Sequence, residues 1–193
     1  MTPLPNTLVE PVSVLFISGR SIYKHMPGLD CWDSHRDARQ FAGRNPVIAH
    51  PPCRTWSKYL RHLAKPLDMK AEQELAFFAL EKVLQNGGVL EQPAGSKFWE
   101  AAKLPIPNET TDPFLYTIYV EQSWFGYCTK KPTWLLIAGV PKAWLPEIPF
   151  SLDRKQKDKR TMCQATRSRT MKPFAEWLCQ VARLTWWQFR KAA

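Results

Sequence analysis

The sequence predicts an α/β protein, a mostly parallel sheet with helices on both faces, in a single domain. Three observations lead there. The chain has 193 residues, 45% of them apolar and 12% aromatic, enough to bury one sizeable core. Short apolar runs bounded by Gly and Pro alternate with helical stretches. Three of those runs end in polar or reactive residues, the pattern expected where strand ends share one crevice.

The elements follow in order. Val12–Ser18 is a short apolar run that stops at Gly19 and reads as a buried strand. Asp33–Gly43 reads as a short helix with an Asp at its start and a Gly at its end. Pro46–His50 is a second buried strand, running into Pro51-Pro52-Cys53. Asp68–Asn86 is the strongest helix: Asp68 caps it, Glu72 and Glu74 sit near its positive end, and Gly87-Gly88 stops it. Leu75, Phe78, Ala79 and Val83 give it a buried stripe. Gly88–Pro93 and Thr133–Gly139 are two further strands. Lys172–Leu184 closes the pattern as an amphipathic helix, with Phe174, Trp177, Leu178 and Val181 in register.

Charge divides the chain. Residues 1–150 hold 16 basic and 14 acidic side chains, whereas residues 151–193 hold 11 and 3. A near-neutral α/β body (1–150) therefore precedes a basic loop and helix (151–193) that pack on the same domain. This asymmetry points to a polyanionic partner, DNA or another nucleic acid. Arg154, Lys155, Lys157, Lys159, Arg160, Arg167 and Arg169 form a plausible phosphate-contacting track. Most of the nine tryptophans read as core, Trp134 and Trp177 among them. No apolar run approaches the roughly 20 residues of a membrane span. The first residues lack a secretory pattern and the five cysteines are scattered, so the expected location is the cytoplasm.

Two side chains stand out chemically. Cys53 follows a strand and two prolines that keep the backbone stiff, with Arg54 beside it and His50 three residues before. Neighbouring positive charge lowers a thiol pKa, so Cys53 reads as a nucleophile, against the plainer reading of a small buried hydrophobe. Glu91 interrupts the apolar strand Val89-Leu90-Glu91, and a carboxylate buried there needs a partner or a use. Zinc ligation through Cys31, His35, His50 and Cys53 lacks customary spacing. The second Cys of a zinc deaminase is replaced by Trp56. Phosphate-binding and serine-hydrolase motifs are absent.

Pro51-Pro52-Cys53-Arg54-Thr55-Trp56-Ser57 resembles the nucleophile loop of cytosine-C5 DNA methyltransferases. Glu91-Gln92-Pro93, 38 positions after Cys53, is similar to that family's Glu-Asn-Val segment. Trp124-Phe125-Gly126 followed by Lys130-Lys131 resembles its Phe-Gly-x-Pro-Gln-x-Arg-x-Arg segment, and Arg167-Ser168-Arg169-Thr170 its Arg-x-x-Thr before the closing helix. All four occur in the family's order. The chain also resembles a small phage-encoded group with His-Pro-Pro-Cys and Leu-Glu-x-Pro segments. The resemblance implies a Rossmann-like, methyltransferase-like sheet and S-adenosylmethionine as cofactor. It implies that Cys53 adds to a pyrimidine C6, with Glu91 on the ring N3 side and Lys131 near the base. Lys130, Arg54 and Ser57 would then face nucleic acid, and Phe16, Ser18, Gly19 and Pro51, with Asp30 or Asp33 for a ribose, would line the cofactor pocket.

Two departures accompany it. The family's Phe-x-Gly-x-Gly loop is here Phe16-Ile-Ser-Gly19-Arg-Ser21, with one glycine, which weighs against cofactor binding. Only 35 residues separate Lys131 from Arg167, too few for a separate target-reading domain. Three functions therefore stand at this point: a pyrimidine-modifying enzyme, a DNA-binding protein on the same scaffold without cofactor or catalysis (a decoy or anti-restriction role), and an enzyme of free pyrimidine nucleotides.

Overall fold

The computed structural model describes residues 11–57, 66–109, 112–149 and 169–185. Six strands, β1 (Val12–Ile17), β2 (Leu29–Asp33), β3 (Val47–Ala49), β4 (Gly88–Pro93), β5 (Leu115–Glu121) and β6 (Pro132–Ala138), form one sheet. Their spatial order is β2-β1-β3-β4-β6-β5. Neighbours among β1 to β4 pair in parallel, while β6 runs antiparallel to both β4 and β5. The sheet is therefore mixed. Five strands share one direction and β6 alone is reversed.

Both faces of the sheet are buried, which is why its central strands read as unbroken apolar runs. On one face Val12, Val14, Ile48, Val89, Leu135 and Ile137 pack against helix α3 (Lys172–Leu184) through its Phe174, Trp177, Leu178 and Val181. On the other, Leu15, Val47, Ala49, Leu90 and Leu136 pack against helix α1 (Pro66–Asn86) and the short helix α2 (Lys97–Ala101). Ala76, Ala79 and Val83 of α1 and Phe98 and Trp99 of α2 are almost fully buried there. Each buried Val, Leu, Ile or Phe among these contributes about 1.5–3 kcal/mol. The indole N–H of Trp177 donates to the Pro146 carbonyl at 3.2 Å, so this core tryptophan has its polar atom satisfied.

Two expectations are corrected, and a third is met in part. Asp33–Gly43 is not a helix of α type: it is a turn followed by one 3-10 turn, Ala38–Gln40. The Asp33 carboxylate accepts from the His35 and Arg36 amides and so turns the chain out of β2, and Asp37 at φ 48° interrupts any helical run. α1 begins at Pro66, which places Asp68 inside its first turn instead of at its cap. The sheet, expected to be mostly parallel, carries the reversed strand β6 in its interior.

The junction between α1 and β4 depends on two glycines. Gly87 ends the helix at φ 73°. Gly88 has φ 122°, and a Cβ there would lie 2.0 Å from the Val47 carbonyl oxygen of β3. By contrast, a Cβ at Gly19 meets nothing within 4 Å. Gly88→Ala is therefore expected to destabilise the protein by well over about 1 kcal/mol, while Gly19→Ala stays within about 0.5 kcal/mol. Denaturant melts of the two variants against the parent check the contrast.

Candidate functional site

From β1 the chain passes to β2 on one side, and β3 then lies on β1's other side. The carboxyl ends of β1 and β3 thus flank the point where the strand order reverses, where open α/β sheets form a crevice. Ser18-Gly19 follows β1, His50-Pro51-Pro52-Cys53 follows β3, and Glu91 lies near the same end of β4. Because β6 is reversed, its first residues reach that end too: Thr133 pairs with Pro93, and Lys131 immediately precedes the strand.

The Cys53 loop is tethered at several points. Gln92 donates through Nε2 to the Pro51 carbonyl at 3.0 Å, and Ser96 donates to Gln92 Oε1 at 3.3 Å. Trp56 N–H donates to the Cys53 carbonyl at 3.2 Å, and the Trp56 ring packs edge-on to Phe98, 5.2 Å between centroids. Cys53 is exposed at the head of this loop. Its thiol is nonetheless pushed above its ordinary pKa, first by the hydration it loses among its neighbours and then by the Glu91 charge, with Lys131 pulling the other way. The expectation that adjacent positive charge lowers it is overturned. Arg54 turns to α1 and pairs with Glu72 at 2.6 Å, leaving Lys131 as the cation that acts on the thiol.

Glu91 is half-buried, and its carboxylate is held on both oxygens. His50 Nδ1 is 3.1 Å from Oε2, and Gln122 Nε2 donates to Oε1 at 3.2 Å. Gln122 is itself fixed by a 3.0 Å bond to Thr133 Oγ1, and Thr133 donates to the Lys131 carbonyl at 3.1 Å. Burial opposes ionisation of Glu91, but the His50 hydrogen bond first, and then the electrostatic pull of His50 and Lys131, outweigh it, holding the carboxyl below its usual range. The Lys131 ammonium lies 5.1 Å from the Tyr127 ring centre. Cys53, Glu91 and Lys131 thus come from three segments and act on one another electrostatically.

Beside them, beyond β1 and β2, opens a cavity of about 780 Å³. Phe16, Asp33 and Pro52 line it, together with Asp37, Arg39 and the α1 side chains Glu74, Leu75 and Phe78. Phe16 has φ 61°, at an irregularity in the β1–β2 pairing between Leu15 and Ile17. Backbone strain of this kind costs about 1–3 kcal/mol and gathers at functional sites.

Of the other expected cofactor residues, Ser18 and Gly19 are exposed and do not line the cavity. Pro51 is buried behind it, accepting from Gln92. Asp30 is bonded to Trp32 Nε1 at 2.7 Å and Arg36 at 2.6 Å, also away from the cavity. Asp33 reaches the wall, but its carboxylate is engaged by Lys24 and by the turn amides, which hold its pKa at about 2. Asp37, Arg39 and Glu74 were not singled out from the sequence. The helical spacing of Ala71, Glu74, Leu75 and Phe78, one face of α1, was the available signal.

Lys130 and Arg169 are exposed, and Ser57 is half-buried on the Cys53 loop. Arg154, Lys155, Lys157, Lys159, Arg160 and Arg167 lie outside the described residues. Among the described residues no group of His, Cys, Asp or Glu side chains gathers that could hold a metal ion. No described helix is long and apolar enough to cross a membrane. Comparison with protein-family models, with curated proteins and with solved structures gave no match.

The electrostatics of the thiol can be read by alkylation. At neutral pH, iodoacetamide labelling of Cys53 is expected to accelerate in Glu91→Gln, where a nearby negative charge is removed and more thiolate forms. It is expected to slow in Lys131→Met, where the opposing cation is lost. Mass spectrometry of the Cys53 peptide across pH 7–10 follows both.

Proposed function

We propose that the protein modifies a pyrimidine base of nucleic acid by cytosine-C5-methyltransferase-type chemistry, with Cys53 as nucleophile. One observation carries this reading: the ends of β3 and β4 and the start of the reversed β6 bring Cys53, Glu91 and Lys131 to one end of the sheet, beside a cavity that reaches Pro52, the residue before Cys53. The strand order supports it as well. The reversed β6 brings Lys131 to the sheet end where Cys53 and Glu91 lie.

The chemistry follows from the groups present. Cys53 gives up its proton to water and its sulfur bonds to C6, while the C5–C6 π pair moves onto C5 and through N3 toward the ring carbonyl. Glu91, taking up a proton from water as the base binds, donates to ring N3, and Lys131 offsets the charge that develops there. Once C5 carries the methyl group that S-adenosylmethionine would supply, with S-adenosylhomocysteine as leaving group, the C5 proton passes to water, its bonding pair re-forms the C5–C6 double bond and the Cys53 thiolate departs from C6. A base inside a duplex leaves the stack first. The thiol, held above its ordinary pKa, ionises more readily as Lys131 comes to dominate over Glu91.

The cavity suits an adenosyl ligand. Its volume falls within the roughly 300–1,000 Å³ of small-molecule sites, and Phe16 and Phe78, 6.4 Å apart at 85°, offer apolar walls with polar groups at the rim. S-adenosylmethionine bound there would supply an electrophilic methyl group, held by Phe16, Phe78 and Pro52. The engagement of Asp33 by Lys24 favours the second reading, a nucleic-acid-binding protein that has given up the cofactor. Calorimetry separates the two: heat on titrating S-adenosylmethionine supports the enzyme, and no heat on well-folded protein supports the binder.

Trapping tests the nucleophile. With a 5-fluorocytosine oligonucleotide and S-adenosylmethionine, the parent protein is expected to form a denaturation-resistant adduct that Cys53→Ala abolishes. Glu91→Gln should slow adduct formation about 10²–10³-fold, although the same change speeds alkylation of the thiol. An adduct that persists in Cys53→Ala rejects the mechanism.

A further inference from the structure

We propose that His50 is a positioning residue for Glu91 and is itself held by the buried Tyr23 hydroxyl, so that a Tyr23–His50–Glu91 chain aims the carboxylate and decides whether it carries a proton. This rests on the reading of Glu91 as the group that meets the base.

The chain is built from three segments. Tyr23, in the 3-10 turn Ile22–His25 after β1, is fully buried and lies 3.0 Å from His50 Nε2, with its ring 5.5 Å from the imidazole. His50 follows β3, where its backbone N–H donates to the Leu15 carbonyl at 3.1 Å. Its Nδ1 lies 3.1 Å from Glu91 Oε2 on β4. Burial, with the charges of Cys179, Glu91 and Cys31 added, pushes the Tyr23 phenol well above its ordinary pKa. Tyr23 thus remains a hydroxyl donor. The tautomer with an acceptor at Nε2 and an N–H at Nδ1 takes that hydroxyl on one side and donates to Glu91 on the other. On the far side, Gln122 holds the second carboxylate oxygen. The charged and titratable groups facing this chain are Lys131 before β6, Cys53 after β3, Cys179 of α3 and Cys31 of β2.

If the His50 donor is removed, burial acts on Glu91 with only Lys131 and Gln122 to oppose it, and the carboxyl pKa rises. A merely structural histidine has no such effect.

Glu91 can be followed without catalysis, by carbon-13 NMR of glutamate-labelled protein with Glu91→Gln for assignment. In His50→Ala its titration midpoint is expected to rise by at least about one unit, a tenfold change in the ionisation equilibrium. His50→Asn, which keeps an N–H near the Nδ1 position, should return it toward the parent value. Tyr23→Phe keeps the ring and removes one oxygen, and nitrogen-15 NMR of His50 should then show the Nδ1–H tautomer lost or mixed. An unchanged Glu91 midpoint in folded His50→Ala overturns the proposal. If that variant does not fold, an unchanged His50 tautomer in Tyr23→Phe overturns it instead. A shifted midpoint with no change in 5-fluorocytosine adduct rate leaves the chain standing and removes the role proposed for Glu91 in base chemistry.

Discussion

An ionised carboxylate drawn into protein costs several kcal/mol unless donors replace the water it loses. Glu91 imposes that constraint at the carboxyl edge of this sheet, and much of the local architecture answers it. β4 lies between β3 and β6, so donors can reach the carboxylate from both sides. His50 arrives from the end of β3, and Gln122, just past β5, reaches in across β6 with Thr133 holding it. The reversal of β6 is essential to this arrangement. A parallel strand in that place would bring its last residues to the site, whereas the reversed one brings Lys131 and Thr133.

Cys53 obeys the same electrostatics with the opposite sign. The charge that Glu91 retains works against ionisation of Cys53, and Lys131 moderates both groups. A cysteine at an exposed loop head is thereby kept mostly as thiol, which protects it from unproductive alkylation and oxidation. Its loop is stiffened by Pro51 and Pro52 and tied down through Gln92, so reactivity is governed by charge and not by loop motion. On the far side of Pro52 the cavity wall stores strain at Phe16, a place where a glycine would be relaxed.

Long apolar runs closed by Gly or Pro were legible in the sequence. β1, β3, β4 and β6, together with α1 and α3, follow the predicted stretches to within two residues at each end. The three strand ends that converge were legible too, because polar residues stand where apolar runs stop. β2 was not, since Asp30, Cys31 and Trp32 break its apolar pattern at a half-buried sheet edge. The five-residue α2 lacks the length for a helical period to show. Strand direction is absent from periodicity altogether, so the reversal of β6 could not be read without first finding β5. Within the site, Cys53, Glu91 and Lys131 were singled out, but the partners that fix their chemistry were not. Tyr23 and Gln122 carry no motif, and Arg54, next to Cys53 in sequence, spends its charge on Glu72.

The central claim is that Cys53 and Glu91 engage one pyrimidine ring. A crystal structure of the protein trapped on a 5-fluorocytosine oligonucleotide tests it most directly. The account requires a covalent bond from Cys53 Sγ to ring C6, with a Glu91 carboxylate oxygen within hydrogen-bond distance of N3. A base bound elsewhere, or a ring at Cys53 with Glu91 still turned wholly onto His50 and Gln122, would contradict it.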